Sequence, residues 1–220
     1  MSMLSAEGFN VGSNPNFEWI HDTFLVLIKM FPDFTKCPPV TIVSMNARYD
    51  PYYHVKVGAT LRPLRKEGYL LIGTGGAVHN LYRNKWTNML LYRESLGQEI
   101  PPESWALDFR QACEDVVTNN RGPALRKGMI RLMQHPAYRE AQATDDHWMP
   151  ILFAAGAAGH WEDEAEPNIL AAETWELVNM CNSQFTFGTW KSSVNKKVLG
   201  HERLGLREKA LQSRLVTAAA

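Results

Sequence analysis

A glycine-rich turn that ends at a histidine is the stretch of this sequence most suggestive of chemistry. In YLLIGTGGAVHNLYRN, an apolar run leads into three glycines, of which Gly75 and Gly76 precede His79 and Asn80. Glycine lets a backbone turn sharply at the end of a strand, and an imidazole with a pKa near neutrality suits proton transfer. The stretch predicts that His79 projects into a site, where Asn80 orients the ring or a ligand. The alternative is that His79 only caps the following helix.

The same glycines match a dinucleotide-binding loop only in part. The pattern GxGxxG needs a small sixth residue so that a helix can approach the strand, and that position is Val78. No acidic residue ends a following strand in the place where such loops bind a ribose. Nucleotide binding is therefore disfavoured.

Two further histidines have acidic neighbours. His147 follows two aspartates in TDDHWMPILFAAGAAG, which fits either a metal ligand with an outer carboxylate or an acidic helix start; taken alone, the helix start is favoured. His21 lies in the apolar segment FEWIHDTFLVLI, where a histidine is more often a buried core residue. The carboxylate of Asp22 beside it can raise the basicity of an imidazole.

The apolar pattern predicts a βαβ unit around the glycine turn. Residues 38–45 and 69–75 are short apolar or β-branched runs typical of buried strands. Helical spacing over 52–68 separates them, so we expect a parallel sheet with the turn at the strand ends where ligands bind. Arg62, Arg65 and Lys66 read as a solvated helix face. Further elements are predicted as helices over 101–119, 122–136 and 145–159 and a late strand over 182–190.

Composition limits the class of protein. The 220 residues have a formal net charge of zero, so neither a nucleic-acid footprint nor an anionic membrane surface is indicated. Three cysteines without CxxC spacing argue against a zinc ribbon, and scattered thiols fit a cytoplasmic protein. We expect one domain over 1–220, with a loop over 1–16 and a terminal helix and tail over 200–220.

Four stretches together resemble the class III extradiol ring-cleavage dioxygenases, in their LigB-like and DOPA-dioxygenase-like branch. The stretches are FEWIHDTFLVLIKMFPDFTKCPPVTIVSMN, LRPLRKEGYLLIGTGGAVHNL, DDHWMPILFAAGAAG and FTFGTW. The resemblance implies an α/β fold with a mixed, mainly parallel central sheet and helices on both faces. It also implies a non-haem iron, or zinc, that activates a catechol and dioxygen. It places His79 at the acid/base histidine, His147 at a late metal ligand, and His21 at an active-site histidine whose following glycine is here Asp22.

The sequence departs from that family at its start. The family's first strands carry two histidine ligands, one in an HGSP motif, and this sequence contains no HGSP. At most one of three expected metal ligands is therefore present, although oxygen activation needs about three protein ligands on the iron. Without the family's first strands an apolar face should be exposed, so we expect a homodimer.

Several functions follow from this combination. The favoured one is a metal-independent enzyme in which His79, assisted by His21 or Asp22, acts as general acid/base on a phenolic, catechol-like or polyketide-like molecule without a cofactor. The substrate-binding residues would be Asn80, Gly75, Gly76 and Trp148. The alternatives are an iron-dependent extradiol dioxygenase whose N-terminal part is missing from this chain, a non-catalytic ligand-binding or partner-binding relic, and a zinc site formed by His21, His79 and His147.

Overall fold

The computed structural model describes residues 1–189. Within that range, helices predominate and the strands form one hairpin. The helices are α1 (Ser2–Ala6), α2 (His21–Met30), α3 (Pro51–Leu61), α4 (Thr87–Tyr92), α5 (Ser104–Asn119), α6 (Gly122–Arg131), α7 (Tyr138–Ala141) and α8 (Met149–Ala158). Short 3₁₀ helices span Phe34–Lys36, Arg62–Glu67, Leu132–Gln134 and Trp161–Asp163, and the strands are β1 (Asn168–Glu176) and β2 (Met180–Phe187).

The main core lies where α5, α6 and α8 meet the hairpin. Helix α5 buries Ala106, Phe109, Cys113 and Val117, whose spacing of three and four residues places them on one face of a helix. Phe109 packs against Trp148, with ring centroids 5.3 Å apart. The helix predicted over 101–119 is therefore confirmed, and its apolar face contributes to this core.

Two glycines allow α3 and α8 to touch backbone to backbone. A Cβ added to Gly58 would lie 1.9 Å from the carbonyl oxygen of Phe153, and one added to Gly156 would lie 2.1 Å from that of Val55. Both distances are far inside ordinary contact, so only glycine fits at either position. The Ala-rich sequence of α8 is explained by this close packing.

The predicted parallel sheet is not confirmed. The runs 38–45 and 69–75 form no strand in the structure, and the sheet of the described residues is the antiparallel pair β1–β2. A strand needs a neighbour to pair its N–H and C=O groups, and none lies beside these runs within residues 1–189. Tyr69 is accordingly 60% exposed. The late strand predicted over 182–190 is found as β2, which ends at Phe187.

The N-terminal part differs from the expected loop. Residues 1–16 include the helix α1, and Leu4 and Phe9 pack against Val57 and Leu61 of α3. The prediction of a loop is wrong over Ser2–Ala6, and the apolar side chains of Leu4 and Phe9 anchor the segment. The terminal helix predicted over 200–220 lies outside the described residues.

Helix α2 is poorly covered by the rest of the described chain. It buries no residue, and Phe24, Leu25 and Ile28 are 39%, 52% and 58% exposed. Exposed apolar side chains on this scale fit the expectation of an uncovered face. No helix among residues 1–189 is long and apolar enough to cross a membrane.

Two of the three charged residues predicted to be solvated, Arg62 and Arg65, form a partly buried cluster instead, whereas the side chain of Lys66 is 75% exposed as expected. Arg62 donates to both carboxylate oxygens of Asp163, over 2.9 and 3.0 Å, and Arg65 donates to the same carboxylate over 3.3 Å. This cluster joins the end of α3 to the segment after α8. The sequence did not indicate it because the partners lie about a hundred residues apart.

Candidate functional site

The glycine turn packs directly on the start of α8. A Cβ added to Gly73 would lie 2.3 Å from the carbonyl oxygen of Pro150, and one added to Gly75 would lie 2.3 Å from that of His147. Neither glycine has a positive φ. Their role is close approach between two backbone segments, rather than the sharp turn expected from the sequence.

This approach brings two of the predicted histidines together. The imidazole rings of His79 and His147 are stacked, with centroids 3.5 Å apart and planes inclined by 14°. Both side chains are partly exposed, so the pair forms part of the protein surface. The prediction that His79 projects from the turn agrees with this position, and His147 is placed beside it by the start of α8.

The surroundings of the pair keep His79 neutral. Burial lowers the pKa of the His79 imidazole below its usual 6.5, and the neighbouring His147 lowers it further, while the carboxylates of Asp146 and Asp22 oppose this effect. Burial alone would raise the pKa of Asp146, but hydrogen bonding from Thr144 and the charge of His147 lower it overall. Near pH 7, therefore, a neutral imidazole lies within reach of ionised carboxylates.

The third predicted histidine lies at the edge of this group. Asp22 is close enough to His79 to act on its pKa, and His21 Nε2 lies 2.8 Å from an oxygen of Asp22. The side chain of His21 is 72% exposed, so it is not the buried core residue that its apolar context suggested. The structure thus brings Asp22 towards His79 and links His21 to the pair through that carboxylate.

Asn80 and Trp148 make contacts within the protein. Asn80 is buried, and its Nδ2 donates to the carbonyl of Glu140 over 2.8 Å while its Oδ1 accepts from the N–H of Tyr82 over 3.1 Å. Trp148 is fully buried, with its ring against those of Phe109 and Tyr138. Both residues shape the structure under the site, and substrate contact by either stays a prediction.

Gln142 is a residue of the site region that sequence reasoning did not single out. It is fully buried, and its Nε2 donates to the carbonyls of Gly76 and Ala77, each over 2.9 Å. A single glutamine between two short helical segments carries no motif. Only the folded chain shows that it contacts the glycine turn.

The described residues do not fit the three-ligand metal site that the resemblance implies. Residues 1–189 contain no cluster of three or more His, Cys, Asp or Glu side chains placed to hold a metal ion. An imidazole binds a metal in the plane of its ring, and the planes of His79 and His147 are nearly parallel and 3.5 Å apart at their centroids. These two rings therefore cannot converge on one ion as they stand. A metal role for His147 would need ligands from outside the described residues.

Two cavities of the described chain lie away from the histidine pair. Two cavities, of about 340 and 300 Å³, lie beside Pro101 and Leu177. Neither is lined by His79 or His147.

Comparison with known proteins gives related sequences in one family. The chain is 28% identical over 157 residues to a 4,5-DOPA dioxygenase extradiol of Escherichia coli (strain K12), which covers 71% of this chain and 52% of that protein. It is 30% identical over 169 residues to the dioxygenase tasH of Hapsidospora irregularis, and the match covers 72% of this chain and 48% of that protein. It is 29% identical over 168 residues to a 4,5-DOPA dioxygenase extradiol of Portulaca grandiflora, and the match covers 76% of this chain and 55% of that protein. The chain thus spans about half the length of the curated relatives it matches.

A solved structure has the same overall arrangement. The crystal structure of an uncharacterized protein from Escherichia coli K12 superposes with a TM-score of 0.65 at 26% identity, covering 80% of this chain and 65% of that one. No family profile matches the sequence. Homology over most of the chain nevertheless confirms the resemblance: the protein is related to the LigB-like class III extradiol dioxygenases. Its curated homologues include several named 4,5-DOPA dioxygenase extradiol.

Proposed function

We propose that this protein is an enzyme that uses His79 as a general acid/base on a small phenolic, catechol-like or polyketide-like molecule. The observation that carries the proposal is the stacked pair of His79 and His147 at the surface end of the glycine turn. The substrate class rests on the relatives, whose names specify a dioxygenase and, in several cases, DOPA.

The chemistry assigned to His79 is proton transfer. A neutral imidazole accepts a proton from a phenolic hydroxyl or from an acidic C–H group of the substrate, and the resulting imidazolium returns it to another atom of the same molecule. The lowered pKa of His79 supplies the neutral form near pH 7. The reaction class is isomerisation, cyclisation, dehydration or carbon–carbon cleavage, all of which begin with such a transfer.

Neighbouring groups would hold the ring of His79 in place and stabilise its protonated form, the imidazolium. His147 stacks on the ring and limits its rotation, while the carboxylates of Asp146 and Asp22 act on its pKa in the direction that favours the imidazolium. His21 would act through Asp22, to which it lies within hydrogen-bonding distance. Gly75 and Gly76 would contact a substrate only through their backbone, because an added Cβ would already meet the carbonyl of His147 at Gly75 and the side chain of His79 at Gly76.

A second candidate is oxygen-dependent ring cleavage, which the dioxygenase names of the relatives favour. In that reaction a non-haem iron supplies the activation of catechol and dioxygen. The described residues do not provide its ligand set, so the ligands would come from a longer protein or from another chain. His79 would again move the proton of the catechol hydroxyl.

Metal dependence and deuterium exchange separate the two candidates. The protein would be purified without a histidine tag, analysed for iron and zinc, and incubated in D₂O with enolisable phenols in the presence of a chelator. The first proposal predicts exchange that chelator does not remove, and a loss of roughly 10²–10⁴-fold in kcat for His79→Ala. His160→Ala is the matched control, because His160 caps the 3₁₀ helix Trp161–Asp163 and its ring lies against Trp161 instead of either histidine.

Two results would overturn the first proposal. One is full turnover by His79→Ala. The other is activity that appears only with added Fe(II), with oxygen uptake on catechols, which would establish ring cleavage instead. Binding of phenols without turnover in any sample would establish a non-catalytic ligand-binding protein.

The oligomeric state is proposed separately as a homodimer. The exposed apolar side chains of α2 support association. Sedimentation velocity at micromolar concentration tests it, and a stable monomer would contradict it.

A further inference from the structure

We propose that Gln142 is the positioning residue that holds the glycine turn, and through it His79, against the start of α8. The inference deepens the proposed function, since it explains how the acid/base histidine keeps its place. The hydrogen bonds that carry it involve no substrate, so it is tested apart from any activity.

The side chain of Gln142 joins two neighbouring carbonyl groups of the turn. A primary amide nitrogen carries two N–H donors, and Nε2 of Gln142 lies 2.9 Å from the carbonyl oxygens of both Gly76 and Ala77. Both donors are therefore used on adjacent residues of one segment. The two carbonyls lie three and two residues before His79, so fixing them fixes the direction in which the chain reaches that residue.

The backbone beside Gln142 holds the next point of the same segment. The N–H of His79 donates to the carbonyl of Ala141 over 2.8 Å, and His79 and Gln142 form an isolated parallel bridge. The segment from Gly76 to His79 is thus held by the backbone of Ala141, the last residue of α7, and by the side chain of Gln142, which follows it. Because Gln142 is fully buried, water cannot replace the lost donors easily if its amide is removed.

Two other contacts complete the position of the turn. Val78 exchanges backbone hydrogen bonds with Cys181 of β2 over 3.2 and 3.0 Å. Gly75 lies against the carbonyl of His147, because a Cβ added there would be 2.3 Å from its oxygen. The hairpin therefore holds Val78, the residue His147 just before α8 contacts Gly75, and Gln142 fixes the residues between them.

The chemistry of the side chain separates this role from simple core filling. Methionine has a similar length and volume and carries no N–H donor. Asparagine keeps the amide but is one methylene shorter, so it reaches one carbonyl at most. Oε1 of Gln142 accepts no hydrogen bond from the described part of the chain, which leaves the two donors of Nε2 as the polar contribution of the residue. If Gln142 only filled space, methionine would serve better than asparagine.

The test compares the positions of His79 in the full chain by NMR. Isotopically labelled wild type, Gln142→Met and Gln142→Asn are measured for two signals: the nuclear Overhauser effect between the ring protons of His79 and His147, and hydrogen exchange at the amide of His79. The control is Val117→Ala, which removes buried methyl groups from α5 away from the turn and reports the effect of lower stability alone.

The expected result is specific to the turn. Gln142→Met weakens the ring-to-ring signal and speeds exchange at the His79 amide roughly tenfold relative to Val117→Ala, as expected when hydrogen bonds holding a segment are lost. Gln142→Asn gives a smaller change of the same kind. If Gln142→Met keeps the wild-type ring contact and exchange rate, the proposal is refuted. If that variant does not fold, wild-type values in Gln142→Asn refute it in the same way.

An activity measurement then separates this inference from the proposed function. Once a substrate is found, loss of positioning lowers kcat of Gln142→Met and leaves KM nearly unchanged. Full activity of His79→Ala would refute the proposed function and leave the NMR result standing. Unchanged NMR signals in the Gln142 variants would refute the positioning role and leave the function standing.

Discussion

Replacing Gly75 by alanine tests whether close packing of the glycine turn on α8 positions the histidine pair. The added Cβ would lie 2.3 Å from the carbonyl oxygen of His147 and 3.2 Å from Cγ of Pro150. Ordinary contacts of this kind begin near 3.4 Å, so one backbone must move by about 1 Å. The neighbour that must yield is backbone, which cannot avoid the clash by rotating a side chain.

The cost follows from two opposing effects. Forcing an extra methyl group into a packed contact lowers the free energy of unfolding by about 1–3 kcal/mol. Alanine also lowers the entropy of the unfolded chain, which raises the free energy of unfolding by about 0.4–1 kcal/mol. We expect Gly75→Ala to lower the free energy of unfolding by about 1–2 kcal/mol. For a chain of this size, that corresponds to a fall in Tm of roughly 2–8 °C.

Urea denaturation and the ring-to-ring NMR signal provide the assay. Gly12→Ala is the matched control, because nothing lies within 4 Å of its added Cβ and its φ is not positive. We expect the control to be neutral or slightly stabilising, whereas Gly75→Ala also weakens the contact between His79 and His147. Equal stability of the two variants within about 0.5 kcal/mol, with the ring contact intact, would show that the turn does not depend on this approach.

Two further predictions concern ionisable groups outside the histidine pair. Asp163→Asn should lower the free energy of unfolding by about 1–3 kcal/mol at pH 7, because Arg62 loses a charged acceptor. Burial opposes ionisation of Asp163, but the hydrogen bond from Arg62 and the charge of Arg65 lower its pKa below 3.8. Its contribution is therefore present above about pH 4 and is lost as the pH falls through the folded pKa, so urea titrations of the two proteins should converge in acid; a constant difference would contradict this. Burial raises the pKa of Cys181 to about 12 and that of Cys113 further, so iodoacetamide should label only Cys37 in the native protein and all three after unfolding; mass spectrometry detecting rapid native labelling of Cys113 would contradict it.

The sequence located the elements with a strong local pattern. The apolar spacing of α5 and the proline near the start of α8 predicted these helices, because a helix buries one face and ends or begins at characteristic residues. The three histidines with neighbouring acids were also visible as residue types. Homology to the extradiol dioxygenases could be recognised from motifs alone, and the comparisons confirm it.

The strands around the glycine turn could not be decided in this way. Residues 38–45 and 69–75 have the composition of buried strands. Composition alone does not determine whether a second segment lies beside them to form hydrogen bonds. Strand formation depends on pairing with a second segment, and the structure of residues 1–189 places none beside them. The apolar character of these runs was therefore read correctly, while their secondary structure was not.

The sequence by itself determined which side chains could do chemistry, and the tertiary structure decided which of them meet. His79 and His147 are 68 positions apart in the sequence, and they stack in the structure, where Gly75 also lies against the backbone of His147. Gln142 gave no signal, because its importance comes from two carbonyls that only folding brings within 2.9 Å. Local patterns encode helices and candidate side chains, whereas contacts between distant segments follow from packing and hydrogen-bond satisfaction over the whole fold.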